Sequence, residues 1–484
     1  MTTIKLDTGA ALLLDALHGA GHAAYAVGGC VRDSLLGLDP HDWDLCTSAR
    51  PEQVMALFGE EKCIPTGLQH GTVTVKQGGR LYETTTFRTE GAYSDGRHPD
   101  AVCFVPDVRE DLARRDFTIN AMAYSAEEGL IDPFGGQDDL AAHLVRAVGE
   151  PERRFEEDAL RILRLYRFAA RFGFAIAPAT GAAARALGPH LDCVSAERIQ
   201  EELLKLLAAP RPGSYLEPAV LAVVLPELEP EKQPERFAEL CRTIDRIEPT
   251  AENVPARLAA LLCPLGEAGA RKALRKLKCS NALTDEVTAL EREAGGGAGS
   301  FLLGHEFELR HPADALCLER HSHPAGRCPN SNSLFPPQAA VVTVAGHSIA
   351  RPTACGSRVP PQRTVLGETP GTPNTTLTVQ AKRLLGRYEL PTIKRLTALC
   401  SARHPEQTGA FAALRAEAEQ LTAENACCRV SQLAVNGRDL MAAGVRPGPG
   451  LRQVLNALLE AVITGQTPNE KDALLAAAAQ FSAS

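Results

Sequence analysis

The chain has 484 residues, room for about three domains at roughly 150 residues each, so a single small stapled module is excluded. Apolar residues make up 44% and charged residues 23%, ordinary globular usage that argues against a mostly disordered or collagen-like chain. Lys and Arg total 51 against 59 Asp and Glu, a net charge of -8, so a nucleic-acid ligand would have to be met by local basic patches rather than by overall charge.

No clean apolar run exceeds seven residues, the length of Ala219 to Leu225, far below the roughly 18 that suggest a membrane span. The opening segment carries Asp7 and Asp15 and lacks the basic start of a secretory signal. The 14 cysteines are scattered, with no C-x-x-C pair, which fits a reducing compartment better than a disulfide framework. A cytoplasmic protein with no membrane partner is expected.

From residue 1 to 150 an amphipathic helix is followed by short strand-like runs such as AYAV, GTVTVKQ and RLYETTTF, punctuated by glycine. Within this α+β segment, AYAVGGCVRD reads as a strand ending at Gly28 and Gly29, then a helix from about Val31 carrying Arg32 and Asp33. Glycine permits close backbone approach and a helix start directs free N–H groups outward, so the turn is a candidate phosphate seat with Arg32 as charged partner. An ordinary strand-to-helix turn is the competing account.

Asp42-Trp43-Asp44 follows. The two-residue period of a strand would set both carboxylates on one face, roughly 6 to 7 Å apart. Two hard oxygen ligands at that spacing suit a pair of Mg2+ ions clamping attacking and leaving oxygens, whereas a bare D-x-D is more often a solvated turn. The phosphate turn just before it favours the metal site. Further on, Arg114, Arg115 and Asp116 precede an apolar run and fit either a solvated helix cap or a contact to a triphosphate.

From residue 151 to 215 the periodicity is helical, and RFEEDALRILRLYRF spaces Asp158, Arg161, Arg164 and Arg167 by three residues, a slowly winding stripe expected along one helix. An exposed charged face is the usual meaning of such a stripe. The sharper one rests on chemistry: ionised Asp only accepts hydrogen bonds and Arg only donates them. Asp158 and Arg161 therefore match an amino donor beside a ring-nitrogen acceptor, the edge of cytosine or adenine. Uracil and guanine present the reverse, and each buried mismatch costs about 1 to 3 kcal/mol.

Helical pattern continues from 216 to 296. Residues 297–378 hold ten of the 33 prolines and no sustained period, an irregular insertion expected to be poorly ordered. Its Cys317, His321, His323 and Cys328 match no common zinc spacing. Helical pattern returns from 379 to 484 and includes GVRPGPGLRQ, a helix start that fits either a simple cap or an RNA contact.

GGCVRDSLLG, DWD, RRDFTINAMAY, DPFGG and EEDALRILRLYRFAARFGF occur in an order and spacing that resemble the class II bacterial tRNA nucleotidyltransferases, the CCA-adding enzymes. The likeness covers roughly residues 20 to 290, resumes at SQLAVNGRDLMAAGVRPGPG, and is absent from 297–378. It implies an α+β nucleotidyltransferase head with a small mixed sheet (1–150), then an all-α neck with a nucleotide-reading helix (151–215), body (216–296) and tRNA-binding tail (379–484).

The resemblance further implies addition of C, C and A to the tRNA 3′ end from CTP and ATP, templated by protein. Asp42 and Asp44 would hold Mg2+, Gly29 and Arg32 would meet the triphosphate, and Arg115, Asp158, Arg161, Arg164 and Arg167 would contact the incoming nucleotide. Glu83 is a weaker candidate third carboxylate. Phe87 to Pro99 is similar to the family's loop linked to the change from C to A addition. The competing functions are an A-adding tRNA enzyme or poly(A) polymerase, an RNA-binding relative without chemistry, and a small-molecule nucleotidyltransferase, which would leave the long helical arm unexplained.

Overall fold

The structure, a computed structural model, describes residues 3–90, 102–295 and 375–481. The first helix, α1 (Thr8–Gly19), starts where the Asp7 carboxylate accepts from the amides of Gly9 and Ala10, and it buries Leu13, Leu14 and Leu17. Capping of this kind satisfies amide groups that a helix start leaves without a partner. Then come β1 (Ala24–Val27), α2 (Gly29–Leu35), β2 (Leu45–Thr47), α3 (Pro51–Phe58), β3 (Cys63–Gly67), β4 (Thr72–Gln77) and β5 (Arg80–Thr86). The short strands β6 (Arg88–Glu90) and β7 (Val102–Phe104) pair antiparallel as a separate ribbon. They are followed by α4 (Val108–Ala113), β8 (Ala123–Ser125), β9 (Gly129–Ile131), α5 (Gly136–Ala141) and β10 (Leu144–Val145).

Seven of these strands form one sheet in the order β3-β4-β5-β2-β1-β8-β9. It is mixed, as expected for the head: β2 runs parallel to β5, and the other neighbours are antiparallel. Alternation of side chains along β1 divides the apolar contacts between its two faces. Ala24 and Ala26 join the main core with Leu13, Trp43 and Leu45. Tyr25 and Val27 face a second cluster with Cys46, Phe87, Val108 and Leu112.

The helices α6 (Pro151–Glu157) and α7 (Leu160–Phe172) follow, and α7 ends at Gly173, whose φ of 68° stops it in a left-handed cap. A two-residue parallel pair between β10 and β11 (Ala175–Ile176) ties the end of the head to the chain leaving α7. Beyond α8 (Pro178–Ala186) and α9 (Ala196–Leu207) come α10 (Pro218–Val224), α11 (Pro234–Arg246), α12 (Val254–Leu262), α13 (Gly266–Lys276) and α14 (Asn281–Ala294). Arg257, fully buried on α12, donates to the carbonyls of Leu207, Ala209 and Pro210 at and just past the end of α9 and to Ile247 after α11. It thereby satisfies carbonyls that helix ends leave open.

The insertion expected at 297–378, with Cys317, His321, His323 and Cys328, falls outside the described residues except at its last positions, where α15 (Thr375–Arg387) has already begun. The remaining helices are α16 (Leu390–Arg403), α17 (Thr408–Ala423), α18 (Gly437–Ala442), α19 (Pro449–Ile463) and α20 (Lys471–Phe481). Leu384, Leu396, Phe411 and Leu414 share one continuous core with the body, whereas Leu440, Val454, Leu458 and Leu474 make a cluster of their own. The tail therefore divides between α17 and α18. Among the described residues no helix is long and apolar enough to cross a membrane.

Candidate active site

The glycine turn lies where the sequence pattern sets it, but the helix opens two residues earlier than Val31, at Gly29. Gly28 takes φ 75° and ψ -120°, a backbone conformation that side chains with a Cβ avoid. A second constraint acts at the same position, because a Cβ added to Gly28 would lie 2.8 Å from Nη1 of Arg115. The absence of a side chain thus lets the Arg115 guanidinium lie against the turn.

Asp42 and Asp44 precede β2 rather than belonging to it, yet the alternation holds. Trp43 and Leu45 are buried while both aspartates keep exposed surface, and the Asp44 carbonyl accepts from the Val27 amide. Leu45 is in register with Thr84 of β5, which brings Glu83 up beside Asp44. Asp44 keeps an exposed edge, but loss of water on its protein side, then the Glu83 and Asp42 charges, push its carboxyl up to about 6 against the pull of Arg115. Among the described residues no three His, Cys, Asp or Glu side chains converge closely enough to cage a metal alone. One or two carboxylates completed by substrate phosphates is the arrangement Mg2+ commonly takes.

Arg32 is placed differently from the expectation of a side chain free to reach a triphosphate. It is 3% exposed, donates to Asp33 through Nε and to Asn120 through Nη1, and lies 5.2 and 4.9 Å from the ring centroids of Phe168 and Phe172. Asp33 in turn accepts from Arg171. The arginine therefore clamps α2 of the head to α7, with its far edge beneath Gly29.

The expected single stripe is broken at its first member. Asp158 has φ -147° and ψ 102° between α6 and α7, so it lies outside the helix that carries Arg161, Arg164 and Arg167. From there its Oδ1 accepts from the Leu160 amide at 3.0 Å, and Arg198 of α9 donates to both carboxylate oxygens at 3.4 and 2.8 Å. Arg161 is held by Glu157 and by the carbonyls of Arg154 and Arg114. Arg164 makes a two-pronged contact to Asp116, and Arg167 pairs with Glu202 at 2.8 Å.

Asp116 is the hub of this web. It also accepts from Asn120 and from the Phe117 amide. Burial alone would raise its pKa, but Arg164, Asn120 and Arg161 together hold the carboxyl well below the usual carboxylate range. Through the Arg114 carbonyl, Arg161 is one residue from Arg115, which feels Asp44 and touches the Gly28 turn. Contacts thus join the glycine turn to the Arg161 neighbourhood, and the acid pair is coupled to both through the charge of Arg115.

Asp111, Glu157, Arg198 and Glu202, which orient these arginines and Asp158, were not legible in the sequence pattern. Their partners are 3 to 40 residues away along the chain, and only the short-range ones, such as Glu157 four residues before Arg161, carried a helical-spacing signal. Of the Phe87 to Pro99 stretch, Phe87 is core and Arg88–Glu90 is strand; the rest lies outside the described residues.

Residues 24–146 match the Poly A polymerase head domain, 173–231 the probable RNA- and SrmB-binding site of polymerase A, and 382–478 the tRNA nucleotidyltransferase domain 2. The CCA-adding enzyme of Lactiplantibacillus plantarum is 33% identical over 466 residues, covering 96% of this chain and 93% of that protein. The chain belongs to the CCA-adding enzyme family. Another relative, from Leuconostoc citreum, is 45% identical over 257 residues, a match that spans 53% of this chain and less than two thirds, 63%, of that CCA-adding enzyme. The crystal structure of the Bacillus stearothermophilus CCA-adding enzyme in complex with CTP superposes with a TM-score of 0.69 at 30% identity, covering 98% of this chain and 96% of that one. The α+β head with helical neck, body and tail is the family's fold, and enzymes built on this head generally use divalent metal ions.

Proposed function

We propose that this CCA-adding enzyme family member works in the cytoplasm and adds C, C and A to the tRNA 3′ end from CTP and ATP, releasing pyrophosphate. The observation that carries this reading is that the charge of Arg115 acts on Asp44 while the carbonyl of its neighbour Arg114 accepts from Arg161, which puts charge-handling and base-reading groups in one neighbourhood. Asp42 and Asp44 would hold Mg2+, whose charge lowers the pKa of an attacking hydroxyl and offsets negative charge on the leaving pyrophosphate. Hard carboxylate oxygens crowded by a third acid, Glu83, suit such a cation.

The terminal tRNA 3′-hydroxyl attacks the α-phosphorus of the nucleotide, and the bond to pyrophosphate breaks. Gly28 and Gly29 leave room for phosphate against the backbone, and Arg115 contributes positive charge there. Arg32 acts by bracing the turn from beneath. Asp158 and Arg161 read the base, and the hydrogen-bond inventory leaves each of them capacity to do so. A carboxylate has about four acceptor sites and a guanidinium five donors. The protein takes three of each, from Leu160 and Arg198 at Asp158 and at Arg154, Glu157 and Arg114 for Arg161. One acceptor at Asp158 and two donors at Arg161 remain. Arg164 and Arg167 flank this pair, and the tail from 379 onward would grip the tRNA.

Primer extension on tRNA ending at the discriminator base, with each nucleotide supplied alone and then CTP followed by ATP, tests the reading. C should be incorporated first and A only after it; incorporation of A without C would assign an A-adding enzyme instead. Asp42→Ala should abolish incorporation while tRNA binding stays nearly unchanged, and an active variant would overturn the metal assignment.

A further inference from the structure

The two ends of the reading stripe are each held by the same face of α9, and with opposite sign. Arg198 grips the acid, Asp158, and Glu202, one turn later, pairs with the base, Arg167. Residues four apart lie one above the other on a helix, so a single rigid element presents a complementary counter-stripe. That element is itself anchored, because the carbonyls at and just past its C-terminal end accept from the fully buried Arg257 of the body.

We propose that Arg198 is a specificity-determining positioning residue: by gripping both oxygens of Asp158 it fixes the carboxylate so that its one remaining acceptor site meets an exocyclic amino group and nothing else. This rests on the base-reading role of Asp158 proposed above. The chemistry follows from the inventory of acceptors. With Leu160 and Arg198 occupying three sites, the open one points in a single direction. Cytosine and adenine offer an amino hydrogen there. Uracil and guanine carry their donor on the adjacent ring nitrogen, beside a carbonyl, so accepting from it requires the carboxylate to rotate and the neighbouring donor to shift to the carbonyl oxygen. Arg198 opposes that rotation at two points, and a two-pronged guanidinium grip resists turning more than a single ammonium contact would.

The experiment measures single-nucleotide kcat/KM for CTP, ATP, UTP and GTP on the matching tRNA substrates for the wild type, Arg198→Ala and Arg198→Lys. Wild type must first discriminate against UTP and GTP; if it does not, the base-reading proposal fails and takes this one with it. Arg198→Ala should lose at least tenfold of the preference for CTP over UTP and for ATP over GTP, mainly through a lower KM for the wrong nucleotide. Arg198→Lys should lie between Arg198→Ala and the wild type. In an Asp158→Ala background the Arg198→Ala change should leave the ratio unmoved, because the group it positions is gone. A uniform loss for all four nucleotides, or an unchanged ratio in both Arg198 variants, would overturn the proposal while leaving the reading of Asp158 standing. Should Arg198→Ala not fold, Arg198→Lys and its Asp158→Ala double variant decide the matter by the same ratio.

Discussion

Replacing Asp116 by Asn removes a charge at the hub of the site and nearly nothing of its volume. In the folded chain Asp116 Oδ2 accepts from Arg164 Nε at 2.8 Å and Nη2 at 2.6 Å, and the aspartate is 7% exposed. Breaking a buried ion pair from one side costs about 3 to 5 kcal/mol, because the other charge stays behind without compensation. The Arg164 side chain keeps 33% of its surface in water, which sets the expected loss toward the low end, about 3 kcal/mol. Urea unfolding followed by fluorescence reads it directly, since the chain's single tryptophan, Trp43, is buried in the same head core. The acid limb supplies a second reading. The folded-state pKa of Asp116 is depressed below 3.8, so its contribution is fully present above that value and is lost as pH falls below it. Asp116→Asn should lack that part of the acid loss. A destabilisation under about 1 kcal/mol, the size of an exposed pair, would refute the picture of Asp116 as a buried hub.

Three further substitutions separate backbone, charge and site. Gly28→Ala should cost about 1 to 3 kcal/mol of backbone strain and, by displacing Arg115, lower kcat/KM for CTP and ATP alike at least tenfold; Gly37→Ala, at φ 71° with open space around it, should show similar strain with incorporation intact, and equal activity of the two variants would contradict the Arg115 contact. Glu291 on α14 is 4% exposed with one carboxylate oxygen lacking a partner, and burial raises its pKa from 4.5 to about 7 despite Arg403. An acid whose pKa is raised on folding weakens the fold as pH climbs from 4.5 through 7, to about 3 kcal/mol at 1.4 kcal/mol per unit, so Glu291→Gln should exceed the wild type in stability at pH 8 and match it near pH 4; a constant difference across that range would rule this out.

Much of the candidate site is visible in the chain because its parts are local. Gly28, Gly29, Asp42 and Asp44 lie within 17 consecutive residues, and strand alternation with one glycine turn suffices to group them. Composition and periodicity likewise separate the mixed head from the helical remainder, since a period of two and one of 3.6 are intrinsic to strand and helix backbones. What periodicity could not supply was which charged groups are already spoken for. Arg32 reads as a free phosphate ligand until the rings of Phe168 and Phe172, 136 and 140 residues later, enclose it.

The same holds for the break at Asp158 and for the grip of Arg198 upon it. A spacing of three predicts one helical stripe, but α6 and α7 meet at Asp158, and no local pattern reports where two helices join when the joint is stabilised by a third, α9. Local covalent geometry and side-chain alternation thus picked out the candidate metal-binding acids and the fold class by themselves. The orientation of Asp158 in the proposed base-reading pair was decided only when residues 40 apart in the chain were packed together, because hydrogen-bond capacity is shared out in three dimensions and not along the sequence.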